Sequence, residues 1–149
     1  MSRTMIGWRE WVALPELDIP HLKVKVDTGA RTSALHAFEL ETYHQNGILM
    51  VRFAIHPLQK NLAIVKYCTA PVVDERLVSD SGGHKEKRYV ITTPISMGDQ
   101  VWPIELTLTN RDTMKFRMLL GRTGMEKKFL VKPDASYLLG KPNLKTPKN

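Results

Sequence analysis

The chain has 149 residues, 42% of them hydrophobic, enough for one compact core and too little for two. Its 22 Lys and Arg against 15 Asp and Glu leave a formal charge of +7, which favours anionic partners without naming one; a solvated basic surface is the ordinary explanation. Cys68 is the only cysteine, which excludes an internal disulfide and any cysteine-rich zinc motif and points to a reducing compartment.

From the N-terminus onward, short segments of period two alternate with Gly, Pro, Asn and Asp, so a mainly β fold is expected. Leu22, Val24 and Val26 share one face of the first clear strand and Lys23 and Lys25 the other; the strand runs directly into Asp27-Thr28-Gly29. Thr32 to Glu39 carries a short helical signal. Asn46-Gly47 is a tight-turn dipeptide, followed by Leu49, Val51, Phe53 and Ile55 in alternation, which predicts a hairpin.

Leu62 to Tyr67 and Pro71 to Val78 read as further strands. They lead to a polar tip from Ser79 to His84, and alternation resumes from Arg88 to Thr93, giving a long hairpin. Gly98-Asp99 makes a turn into the cleanest strand, where Trp102, Ile104, Leu106 and Leu108 share a face. After Leu119-Leu120-Gly121, Arg122 to Lys128 predicts one short C-terminal helix. Residues 1–140 are read as one domain and 141–149 as a flexible basic tail.

The chemistry is concentrated at Asp27. An apolar strand fixes the backbone, Gly29 permits a tight turn and Thr28 can brace the loop by its hydroxyl, so that the carboxylate is held at a cleft. The triplet alone is more readily an ordinary turn. Asp80-Ser81-Gly82 has a related pattern, but the charged run from Gly83 to Arg88 gives it no apolar strand to pack on, and a turn is the better reading.

Taken with Ala30 and the later Leu119-Leu120-Gly121-Arg122, the Asp27-Thr28-Gly29 segment resembles the retropepsin-like aspartic peptidases. The run from Asp27 to His36, Thr109-Asn110-Arg111-Asp112-Thr113-Met114 and the Ser79 to Tyr89 stretch are similar to the bacterial family long labelled ATP-dependent zinc proteases. The resemblance implies a closed antiparallel acid-protease barrel and a homodimer, in which Asp27 of each subunit forms half of a dyad. It implies catalytic roles for Asp27, Thr28 and Gly29, and a flap at the Ser79 to His84 tip. The associated substrate-binding residues are Ala30, Arg31, His36, Gly82, Gly83, Arg88 and Arg122.

Either Arg31, Arg88 and Arg122 hold acidic side chains of a peptide or protein substrate, or Arg31 and Arg88 are surface residues and Arg122 pairs internally with an acidic residue. By family association the resemblance also implies an ATP-grasp amino-acid ligase partner that adds residues such as glutamate. Two other readings stay open: a non-catalytic module that binds acidic peptide, and a zinc-dependent hydrolase. The family label implies zinc, yet His21, His36, His44, His56 and His84 form no compact ligand pair, and no cofactor is expected; a site of Asp27, His36 and His84 would need folding to gather them.

Trp8, Trp11 and Trp102 are read as core or interface residues, and Met114, Met118 and Met125 as packing. No signal-peptide run and no stretch of ~20 apolar residues is present, so a cytoplasmic protein without membrane contact is expected. Nucleic acid is not expected, because no segment interleaves basic with aromatic residues.

Overall fold

The computed structural model describes residues 3–58, 62–79, 82–110, 116–125 and 128–142. Among these residues the regular structure is almost entirely strand, as the period-two patterning predicts, and no helix is long and apolar enough to cross a membrane.

The centre is a ring of paired strands. β2 (Arg9–Leu14) runs antiparallel to β3 (Ile19–Val26), the strand that ends at Asp27. β3 pairs in parallel with β11 (Met118–Leu120), and β11 lies antiparallel to β4 (Ser33–His36). β4 in turn runs parallel to β10 (Gln100–Thr109), which forms a long antiparallel hairpin with β9 (Lys85–Met97). One registered pair, Ala13 with Ser96, returns from β9 to β2, and β8 (Asp74–Ser79) extends the sheet along the first half of β9. The expected closed antiparallel barrel is therefore corrected to a mixed ring. Two of its links are parallel, and the last is a single pair rather than a continuous ladder.

A separate three-stranded antiparallel sheet joins β5 (Phe38–Gln45), β6 (Ile48–Ile55) and β7 (Lys66–Pro71). Asn46 and Gly47 take φ values of 53° and 79° between β5 and β6, the left-handed pair that a two-residue hairpin turn requires. β1 (Thr4–Ile6) and β12 (Phe129–Val131) form a two-stranded parallel sheet.

The core follows the alternation. Leu22, Val24 and Val26 are buried while Lys23 and Lys25 face out, and Trp102, Ile104, Leu106 and Leu108 are buried from β10. Full burial of each such side chain contributes roughly 1.5–3 kcal/mol, so the strands that carry the site loops are its best anchored parts. Met118 and Met125 pack as expected, and Trp102 lies in the core with its indole N–H donating to the Gly124 carbonyl at 2.9 Å. Trp8 and Trp11 are only half-buried.

Three local expectations are corrected. Thr32 to Glu39 is not helical: Ser33–His36 is strand β4, buried at every position because it lies between β10 and β11. The expected C-terminal helix over Arg122 to Lys128 is a three-residue 3-10 turn, Arg122–Gly124. The segments expected as strands over Leu62 to Tyr67 and Pro71 to Val78 begin later, at Lys66 and Asp74. Of the expected tail 141–149, Lys141 and Pro142 are described and Pro142 is buried; the rest lies outside the described residues, as does Met114.

Candidate active site

Asp27 follows the last residue of β3, and its position is fixed by long-range bonds. Its backbone N–H donates to the Leu120 carbonyl at 2.9 Å, which continues the β3–β11 pairing into the loop. The loop then folds on itself: Gly29 N–H donates to Asp27 Oδ1 at 3.1 Å, and Ala30 N–H to the Asp27 carbonyl at 3.2 Å. Asp27 is half-buried, with Thr28 and Gly29 exposed beside it.

The segment after β11 holds this loop from behind. Arg122 N–H donates to the Ala30 carbonyl at 2.8 Å, and Thr123 bonds the Arg31 carbonyl through both its N–H and its hydroxyl. Gly121 N–H donates to the hydroxyl oxygen of the buried Ser33 side chain at 3.0 Å. The Arg122 guanidinium reaches the carbonyls of Thr28 and Gly29 at 3.3 and 3.4 Å. Arg122 thus braces the loop and, among the described residues, does not pair with an acidic one.

In front of the loop lies an open cleft of about 1560 Å³. Asp27, Gly29, Ala30 and Arg31 form one wall; Leu77, Val78 and Ser79 of β8 and Glu105 and Thr107 of β10 form others. Lys25, Arg76 and Arg88 add three cations to that of Arg31.

Arg88 is neither a surface residue nor free. It is buried, with its Nε 2.7 Å from Glu86 Oε1 and its Nη1 3.4 Å from Thr107 Oγ1. The Thr109 hydroxyl donates to the same Glu86 oxygen at 2.9 Å, and the Thr107 hydroxyl to the Ser33 carbonyl at 3.1 Å. This chain of polar contacts ties the β8–β9 hairpin to β4.

Arg76 bridges Asp74 at 2.7 Å and Glu105 at 2.8 Å. Bonding to Glu105 first, then to Asp74, pushes its already high pKa further up, so the cleft keeps this cation. The guanidinium holds the Asp74 carboxyl below its usual range, helped by the Glu75 N–H.

Of the residues singled out in the sequence, Asp27, Gly29, Ala30, Arg31 and Arg88 come together at the cleft, and Thr28 adjoins them. Gly82 and Gly83 are exposed at the tip of the β8–β9 hairpin, beside Asp80 and Ser81, which lie outside the described residues. His36 is placed elsewhere: it is buried, its ring 6.1 Å from Phe38 and 6.3 Å from His56. Among the described residues no three His, Cys, Asp or Glu side chains gather as a metal-binding group, so Asp27, His36 and His84 are not assembled into one. Sequence reasoning missed Trp8, Lys25, Arg76, Glu105 and Thr107 as cleft residues. For Lys25 a signal was present, since it shares the parity of Asp27 along one strand.

Residues 5–142 match the family model described as retropepsin-like aspartic endopeptidase RimB. The chain belongs to that family. Two curated relatives of this RimB-like chain are each named probable alpha-L-glutamate ligase. The Shewanella halifaxensis protein is 45% identical over 95% of the chain, and the Desulfotalea psychrophila protein 44% identical over 94%. The chain spans only 31% and 30% of their respective lengths. A solved Legionella pneumophila protein of unknown function, Lpg0085, superposes with a TM-score of 0.78 at 26% identity, covering 93% of this chain and 99% of that one.

Proposed function

We propose that this RimB-like chain is an aspartic-type peptidase that acts as a homodimer and cleaves peptide or isopeptide-like bonds in glutamate-rich protein tails. One observation carries the reading: Asp27 is the cleft carboxylate without a cationic partner among the described residues, whereas Glu105 is committed to Arg76. One chain thus offers half a dyad, on a loop locked from behind and open in front. A two-fold axis past the loop would set the second Asp27 opposite the first.

Two carboxyls at that distance share a proton. The ionised one takes a proton from water as the water oxygen attacks the scissile carbonyl carbon; the protonated one donates to the carbonyl oxygen. Collapse of the tetrahedral intermediate breaks the C–N bond, and the amine leaves with a proton returned from the dyad. Thr28 bridges the two loops, Gly29 gives close approach of backbone to substrate, and the β8–β9 hairpin covers the bound segment. The step as proposed draws on no metal.

The substrate class is supported by Lys25 and Arg31 in the cleft wall and by the ligase name of the relatives, whose product is the kind of chain to be trimmed. An ATP-grasp glutamate ligase is the partner, and the cytoplasm, where Cys68 stays a thiol, is the compartment. The test compares wild type with Asp27→Asn on a glutamate-extended protein, with mass spectrometry of products and sedimentation of both forms. Loss of cleavage with the dimer intact is expected. Cleavage by Asp27→Asn, or a strictly monomeric active enzyme, would eliminate the dyad, and binding without cleavage by wild type would reduce the chain to a binding module.

A further inference from the structure

Trp11 on β2 stands opposite Lys23 on β3, and Arg9 stands opposite Lys25. All four project from the outer face, since Glu10, Val12, Leu22 and Val24 between them are buried. The fold adds Tyr137, its ring 5.9 Å from that of Trp11, and Lys141, its Nζ 4.7 Å from the centre of the Trp11 ring. Lys23 Nζ lies 5.2 Å from the same ring, and the Arg9 guanidinium 4.6 Å from Trp8 and 5.0 Å from Tyr137.

These cations are held by rings instead of carboxylates. Arg52, Lys66, Arg76, Lys87, Arg88 and Lys132 each have an acidic partner. Among the described residues Arg9, Lys23, Lys25 and Lys141 form no ion pair, although Arg9 Nε donates to Ser136 Oγ at 3.1 Å. A ring quadrupole positions a cation without cancelling its charge. The face is therefore basic, preorganised and unneutralised.

It also leads into the cleft. Trp8 and Lys25 belong to the cleft wall that carries Asp27. Lys23, Lys25 and Asp27 follow one another at every second residue, about 7 Å apart. An extended polypeptide repeats its same-side groups at that interval, so carboxylates of a glutamate run laid along β3 would fall in step with the lysines. A single-stranded nucleic acid fits less well, because the Trp8 and Trp11 rings are already engaged by the chain's own cations and are poorer platforms for bases.

We infer that the outer face of β2–β3, centred on Trp11, Lys23 and Lys141, is a docking track for an acidic polypeptide segment adjoining the bond held at Asp27. The inference rests on the proposed peptidase reading only for the identity of the bound chain.

The test uses the full chain carrying Asp27→Asn, so that the probe survives, and fluorescein-labelled octaglutamate read by anisotropy. Reversing two cations with Lys23→Glu and Lys141→Glu is expected to weaken binding about tenfold, while Lys132→Glu, already paired with Asp134, changes it by less than about twofold. Without any substitution in the track, octaglutamate should move the indole N–H resonance of Trp11 and leave that of core Trp102 in place. Unchanged affinity in the double variant, an unmoved Trp11 resonance or absence of binding overturns the track; tighter binding of octauridine RNA, weakened by the same reversals, reassigns it to nucleic acid. Failure of the peptidase reading appears instead as product formed by Asp27→Asn.

Discussion

A Cβ placed on Gly121 would lie 2.6 Å from the carbonyl carbon of Thr32 and 2.7 Å from its oxygen. Backbone meets backbone there, so neither side can yield by turning a side chain. This contact seats the Asp27 loop against the end of β11. Gly121→Ala should therefore lower stability by about 1–3 kcal/mol through overpacking and displace Asp27. Urea unfolding and cleavage assays check both effects, and a variant with wild-type midpoint and rate would show that the loop is held by other means.

Arg122 lies outside the cleft yet contacts the carbonyls of Thr28 and Gly29. These bonds are exposed, so Arg122→Ala should cost less than about 1 kcal/mol of stability while cleavage falls about tenfold or more through loss of loop positioning. Separate measurement of kcat and KM distinguishes this from a substrate contact: bracing lowers kcat, whereas recognition of acidic side chains raises KM.

Glu10 is fully buried and accepts from three backbone N–H groups: Gly7 at 2.7 Å, Leu138 at 2.9 Å and Leu139 at 3.2 Å. It fastens the segment carrying Tyr137 to β2. Glu10→Ala leaves these donors without their acceptor and should destabilise by about 3 kcal/mol or more; Glu10→Gln, which keeps one oxygen, should cost less. Equal midpoints for the two variants in denaturant would mean that water replaces the carboxylate.

The Arg76 bridge makes a pH prediction. Asp74 titrates below its ordinary 3.8 because the folded state favours the carboxylate, chiefly through the Arg76 hydrogen bond. The unfolded chain takes up a proton first, so this stabilisation is whole above about pH 4 and fades as pH falls through the depressed folded value. Hydrogen exchange in β8 and β9 should be flat from pH 5 to 8, after correction for intrinsic rates, and faster below about pH 4. Arg76→Gln should remove that difference.

Much of this was legible because period-two strands with one wet face advertise themselves. Leu22, Val24 and Val26 alternate with lysines, Asn46-Gly47 turns where its left-handed preference predicts, and Asp27 stands at the end of the strand so marked. The misread segments are those where alternation fails for a physical reason. Ser33–His36 is buried on both faces and gives no signal of period two, so its short helical pattern misled. His36 follows the Asp27 loop closely in sequence, but β4 carries it away to pack beside His56. The contacts of Arg88 with Thr107 and of Arg76 with Glu105 depend on strand register, which no local pattern encodes. The interleaving of lysine with tryptophan likewise exists only across β2 and β3.

The parallel pairing of β1 with β12 brings together strands from the two ends of the described chain, just as Gly121 and Leu120 complete a loop begun at Asp27. Contacts so distant along the polypeptide form late and slowly. A nascent chain still short of β11 has its aspartate but lacks the seat that aims it, so the geometry of the Asp27 loop is a late product of folding.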